Sequence, residues 1–195
     1  MKAVVQTQKT KPYILGLSIG TSWLTAAGAG FSIFATARTT NALLTLIAVL
    51  VIAGTLLAVS VRQIVVAVKL PSEPRSTGDR RIGRQFALIV VLEGVAVALV
   101  SIACYFMSHL SWIVPLDLII VGIHFIPLAK LFGVPRYTTL GLLFCIVSIL
   151  TLLLVPAHAH IGTVFTRVVY SALGCAASAW LISIGNLLEL RRLLS

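Results

Sequence analysis

Charged residues are scarce in this sequence. Only 10% of its 195 residues are Asp, Glu, Lys or Arg, whereas 59% are hydrophobic. A typical soluble domain is about one quarter charged and about half apolar. Because a chain this apolar could not stay monomeric in water, the composition argues against a soluble enzyme or binding domain and indicates an integral membrane protein.

Cysteines and catalytic motifs are also few. The three cysteines, Cys104, Cys145 and Cys175, lie within apolar runs, and an odd number so placed argues against a disulfide framework. No zincin motif, Walker loop, nucleophile elbow or Rossmann fingerprint is present, so no cofactor is indicated. An intramembrane enzyme that acts on lipid or isoprenoid is a third hypothesis. It ranks below the other two because the sequence lacks the clustered aspartates and metal motifs that phosphate chemistry usually needs.

What the sequence does contain is six long apolar runs. A membrane-spanning helix needs about 20 such residues, and the connections are mostly short enough to make neighbouring helices antiparallel. The predicted fold is therefore all-α: a single-domain integral membrane six-helix bundle built from three antiparallel helical hairpins. The predicted helices, numbered 1 to 6, cover residues 13–37, 43–68, 86–107, 112–131, 139–155 and 161–188.

The first run has a competing interpretation as a secretory signal, since it follows Lys residues and ends in Ala35-Thr36-Ala37. Its apolar stretch is about 24 residues, however, against 7 to 15 for a signal peptide. A retained helix is therefore favoured over a cleaved one. Gly16, Gly20 and Gly30 belong to small-residue spacings that predict a close helix-packing face.

The formal net charge of +10 is distributed unevenly. When six spans are threaded, twelve of the 15 basic residues fall on one side, which the positive-inside rule assigns to the cytoplasm together with both termini. No basic face interleaved with aromatic residues accompanies the charge, so nucleic-acid binding is not expected. The twelve are Lys2, Lys9, Lys11, Lys69, Arg75, Arg80, Arg81, Arg84, Lys130, Arg136, Arg191 and Arg192.

Residues 69–85 are predicted to form a basic cytoplasmic loop. Its sequence from Lys69 to Arg84 is KLPSEPRSTGDRRIGR, the only extended polar stretch. Such a loop would lie against anionic lipid headgroups, where each basic residue contributes about 1 kcal/mol. Docking of a membrane partner is the alternative.

Two ionisable residues inside the runs, Glu93 and His124, are nearly equally far from the turn at 108–111 and should therefore lie level. Charged side chains within a span cost about 2.5 to 3.5 kcal/mol and are normally paired. Arg62 could join them if helices 2 and 3 are adjacent. Pro127 leaves a helical carbonyl beside His124 without its usual donor. These residues form the predicted intramembrane polar site.

A structural interpretation of the same residues carries comparable weight. Arg62 could extend to the headgroups, and Glu93 and His124 could form only an interhelical packing contact. Access of water to Glu93 and His124 would separate the two interpretations.

The remaining polar residues suggest structural roles. Asp117 and Arg167 fall at similar depth near the end of the bundle opposite the termini, so they are predicted to form an ion pair. His109, His158 and His160 lie in loops at that end. They are weak candidates for metal ligands, because no Cys or fixed spacing accompanies them, and wetted interfacial histidines are favoured.

The segment Gly122-Ile-His-Phe-Ile-Pro-Leu-Ala129, followed by a short basic turn to Tyr137, resembles a signature of small polytopic bacterial membrane proteins of unknown function. The resemblance covers 16 of 195 residues. It implies a prokaryotic inner-membrane location and a special place for His124 and Pro127, and it brings no assigned activity.

Two classes of function follow. One is a small transporter-like protein that uses the polar site of Glu93, His124 and Arg62, because a buried imidazole and carboxylate can relay protons or bind a polar substrate. The other is a non-catalytic accessory or assembly subunit, whose small-residue first helix and basic loop bind a membrane partner or a second copy of the chain.

Overall fold

The computed structural model describes residues 11–36, 42–69 and 77–194. Within them the chain forms six α-helices, so the predicted all-α helical bundle is confirmed. A 3₁₀ turn at Leu110–Trp112 and a two-stranded hairpin of β1 (His160–Ile161) and β2 (Val164–Phe165) connect the later helices. The helices are α1 (Lys11–Thr36), α2 (Ala42–Val68), α3 (Thr77–Phe106), α4 (Ile113–Phe132), α5 (Arg136–Leu154) and α6 (Thr166–Leu194).

Five of these helices, α2 to α6, are long and apolar enough to cross a membrane. The length and composition of these helices are thus compatible with a multi-pass membrane protein, the class that the sequence composition indicates. The sixth helix, α1, is 26 residues long, and more than half of these are Gly, Ala, Ser or Thr.

The helices pack as three hairpins, with α1 against α2, α3 against α4, and α5 against α6. The most extensive contact joins α1 to α6, and α4 packs on α5 and α6 as well as on α3. The outer helices are α2, which packs mainly on α1, and α3, which packs on α4 and the 3₁₀ turn. Consecutive helices α2 and α3 are therefore not packed against each other in the described residues.

Small and hydroxyl-bearing residues place α1 inside the bundle. Gly20 faces the hydroxyl of Tyr137, and Gly28 faces the indole of Trp180, so neither position has room for a larger side chain. Ser22 and Ser60 share a 2.7 Å hydrogen bond that links α1 to α2. In a low-dielectric interior, small residues allow close helix contact and hydroxyl groups satisfy one another.

The helices α4 and α5 cross closely at two glycines. A Cβ atom on Gly122 would lie 2.7 Å from the carbonyl oxygen of Gly141. Beside the crossing, the ring of Phe125 packs on the rings of Tyr137 and Phe144, with centroids 6.1 and 5.9 Å apart. After the crossing, α4 ends at Gly133, whose φ of 66° is the left-handed geometry common at helix C-termini.

The starts of two helices, α3 and α6, differ most from the predicted starts. The helix α3 begins at Thr77, nine residues before the predicted start, so the later part of the expected basic loop 69–85 is helical; its Arg and Gln residues are good helix formers. The helix α6 begins at Thr166 because the preceding residues form the β-hairpin. Gly162, with φ of 63°, supplies the positive φ of its two-residue turn.

We predict that Gly122→Ala destabilises the protein by about 1 to 3 kcal/mol, because the added methyl group overpacks the α4–α5 crossing. Thermal unfolding in detergent provides the measurement. Gly94→Ala on α3 is the matched control, since nothing lies within 4 Å of the methyl group that it adds. Equal unfolding temperatures for the two variants would contradict the close crossing.

Candidate functional site

Three contacts hold α3 against α4, and together they define the α3–α4 seam. They recur every seven or eight residues on both helices, which is about two helical turns, so they lie on one stripe of each helix. The side chains of α3 between these positions are largely exposed. Along the seam the contacts are Phe86 with Phe132, Glu93 with His124, and Ser101 with Asp117.

Glu93 and His124 form the central contact of the seam. The Nδ1 atom of His124 lies in ion-pair contact with Oε2 of Glu93, although without regular hydrogen-bond geometry. The side chains of His124 and Glu93 are 13% and 17% exposed. The structure therefore brings together the two residues whose distance from the 108–111 turn predicts equal depth.

The pair lies near the edge of the bundle. Its neighbours on α3, Val91, Leu92 and Val95, are each more than half exposed, and Cys104 is the one buried residue between Arg81 and Phe106 on this helix. An ion pair at this place joins a peripheral helix to the bundle. Its surroundings are apolar side chains and, in a membrane, lipid.

A groove lies along the seam, one helical turn from the pair. Ile89 precedes Glu93 by one turn on α3, and Pro127 follows His124 by one turn on α4. The groove is shallow and open, with a volume of about 560 Å³. We call it the seam groove, and its lining residues are Ile82, Gln85, Leu88, Ile89, Pro127, Lys130 and Leu131.

Arg62 does not join the pair. It lies exposed on α2, whereas Glu93 lies on α3, and these helices are not packed against each other in the described residues. The expectation of a shared pocket depended on adjacency of helices 2 and 3. Because the connection between them is long, it does not force them to be neighbours.

The predicted ion pair of Asp117 and Arg167 is not formed. Arg167 instead donates from Nε to the carbonyl of Val155 at 2.8 Å and from Nη2 to that of Leu152 at 3.0 Å. These carbonyls lie at the end of α5, where helical donors are missing and positive charge is favoured. Arg167 therefore caps α5, and Asp117 accepts a 3.1 Å hydrogen bond from the hydroxyl of Ser101.

The Arg167 guanidinium also stacks on Trp112, 5.1 Å from the ring centroid. His109 stacks on the same Trp112 at 5.9 Å. In the hairpin region, Nδ1 of His160 lies 2.8 Å from the carbonyl oxygen of His158. Among the described residues, no group of three or more His, Cys, Asp or Glu side chains is placed to hold a metal ion.

Several polar contacts are not anticipated from the sequence. Ser101 is the partner of Asp117, and its spacing of two turns from Glu93 is the signal that could have identified it. Arg136 forms an ion pair with Glu189, which joins the start of α5 to the end of α6. Asn186 is fully buried on α6 with neither side-chain polar atom hydrogen-bonded.

Comparison with known proteins adds no relative. No family model matches the chain, and neither curated proteins nor solved structures give a match. The arguments for function therefore depend on the residues and their geometry.

We predict that Arg167→Gln lowers the free energy of unfolding by about 2 kcal/mol, because hydrogen bonds from a charged donor to the α5 carbonyls are lost. Chemical denaturation in mixed micelles measures the change. Arg62→Gln removes an exposed Arg and should change stability by less than about 0.5 kcal/mol. If the effects of Arg167→Gln and Asp117→Asn on the free energy of unfolding were strongly non-additive, that result would instead support the Asp117–Arg167 ion pair predicted from the sequence.

Proposed function

We propose that this protein is a small transporter-like multi-pass membrane protein whose intramembrane polar site is the Glu93–His124 pair. The observation that supports this function is the contact of a carboxylate and an imidazole between two membrane-length helices. One of these, α3, packs in the described bundle mainly on α4.

Proton exchange at this pair would change its net charge. Histidine is the side chain that ordinarily changes charge near neutral pH. A protonated imidazole beside an ionised carboxylate is neutral overall, but gain or loss of one proton leaves a single charge. Because a lone charge within a span costs about 2.5 to 3.5 kcal/mol on insertion scales, a polar solute of opposite charge would bind better after that step. The pair thus provides a means of coupling proton binding to solute binding.

The helix α3 is the element best placed to move. Its packing lies along one stripe, so displacement would disturb the three seam contacts and leave the α1–α6 and α4–α5 contacts intact. Elements with few buried contacts open at lower free-energy cost than the core. The seam groove approaches the pair from one end, through Ile89 and Pro127.

We further propose that the end of the bundle carrying both termini faces the cytoplasm of a prokaryotic cell, in the inner membrane. The helix α1 starts and α6 finishes at this end, beside Lys130 and the basic first turns of α3. Positive residues favour the cytoplasmic side, and the segment from Lys69 to Arg84 would lie against anionic headgroups there. The bacterial inner membrane is the expectation given by the resemblance of the 122–137 segment.

A liposome assay tests the transport function. Purified protein is reconstituted with a pH-sensitive dye inside the vesicles, and proton uptake is followed after a pH step with valinomycin and potassium to balance charge. We expect uptake above that of empty vesicles, and loss of this excess in Glu93→Gln and His124→Ala.

Asp117→Asn is the matched control for that assay, because it removes a carboxylate from the same seam but not from the pair. It should retain the flux of the unmodified protein. Equal flux in all four proteins, or no flux above empty vesicles, would contradict the proposal.

An accessory or assembly subunit is the second candidate, and the exposure of α3 along its membrane-length window favours it. A partner helix or a second copy of the chain could cover this surface. In that case mild solubilisation should recover a stable complex, and a neutral linker in place of residues 69–76 should weaken it. A monomer that is unaffected by the linker would contradict this candidate.

A further inference from the structure

We propose that the seam groove binds one anionic phospholipid, with the phosphate near Lys130 and Arg84 and an acyl chain directed toward the Glu93–His124 pair. The inference goes beyond transport, because a bound lipid requires no flux through the pair. It rests on three features of this end of the seam: its cations, its apolar walls and its depth in the membrane.

The cations are available to an external anion. Arg81, Arg84 and Lys130 are exposed. Among the side chains that the structure describes, none of the three is in ion-pair contact with a carboxylate, whereas Arg136 contacts Glu189. Lys130 lines the seam groove itself. Arg81 and Arg84 line a neighbouring hollow of about 550 Å³ that shares Gln85 and Leu88 with it.

The walls of the groove suit a hydrocarbon chain. Ile82, Leu88 and Ile89 come from α3, and Pro127 and Leu131 come from α4. Only Gln85 and Lys130 add polar groups to this lining. A free phosphate ion would satisfy the cations but leave these apolar walls uncovered, whereas a phospholipid satisfies both.

The depth of the cations matches the level of lipid headgroups. The apolar part of α3 begins at Phe86, just after Arg84, and α4 ends at Phe132, two residues after Lys130. Arg81, Arg84 and Lys130 therefore lie within about one and a half turns of the ends of these apolar stretches, where basic residues meet anionic headgroups. From there the groove extends inward to Ile89, about two turns beyond Arg81, and to Pro127, about one turn from Lys130.

Native mass spectrometry in detergent tests the inference, with phosphatidylglycerol and phosphatidylcholine of identical acyl chains as probes. We expect one phosphatidylglycerol per chain and little phosphatidylcholine. The double variant Arg84→Gln/Lys130→Gln should weaken phosphatidylglycerol binding by roughly tenfold or more. Leu88→Trp, which fills the groove without changing charge, should weaken it as well.

The matched control is Arg62→Gln/Arg191→Gln, which removes the same charge from exposed positions that do not line the groove. It should bind phosphatidylglycerol within about twofold of the unmodified protein, since surface charges at a distance are screened. Inorganic phosphate at millimolar concentration should not displace the lipid.

Three results would overturn the inference. They are equal weakening by the two double variants, equal binding of the two lipids, and displacement by inorganic phosphate. Unfolding temperatures without added lipid identify any variant that fails to fold. If Leu88→Trp fails to fold, the comparison of the two double charge variants tests the inference without it. Lipid binding without proton flux would contradict the transport proposal alone, and flux without selective lipid binding would contradict this inference alone.

Discussion

The absence of water inside a bilayer is the constraint on which the arrangement of these helices depends. A buried polar group without a partner costs several kcal/mol there, which favours contacts between polar side chains and free carbonyls within the protein, although Asn186 makes none. Glu93 and His124 meet across the seam for this reason, and Arg167 turns to the free carbonyls of α5. Hydroxyl groups such as that of Ser18 return to the carbonyl of the preceding turn. These polar contacts determine which helix faces can pack against each other.

The segment from Gly122 to Tyr137 contacts several different helices. Gly122 allows α5 to approach closely at the helix crossing, and His124 contacts Glu93 on α3. Arg136 forms an ion pair with Glu189 on α6, and Tyr137 packs on Gly20 of α1. One short stretch of sequence, which joins α4 to α5, thus contacts three other helices. This arrangement gives a physical reason why residues of such different chemistry occur together there, and it places a titratable side chain at the junction between the core and a peripheral helix.

Hairpin geometry explains which parts could be predicted from the sequence. A short turn determines the depth of the residues on either side, so the approach of Glu93 to His124 follows from counting along α3 and α4. The order of the hairpins does not follow from local sequence, and the expected approach of Arg62 to Glu93 was wrong because α2 packs mainly on α1 whereas α3 packs mainly on α4. The hydropathy of the sequence likewise does not show that α1 packs inside the bundle. The partner of Arg167 was missed because backbone carbonyls at a helix end have no signature in side-chain patterns.

The central claim is that α3 packs on α4 with Glu93 against His124. Oxidative cross-linking in membranes tests it most directly, after Cys104, Cys145 and Cys175 are replaced by alanine. A cysteine at position 93 is combined with a second at either position 124 or position 62. The account predicts a disulfide for the 93/124 pair and none for the 93/62 pair. Cross-linking of 93 to 62, without cross-linking of 93 to 124, would contradict it.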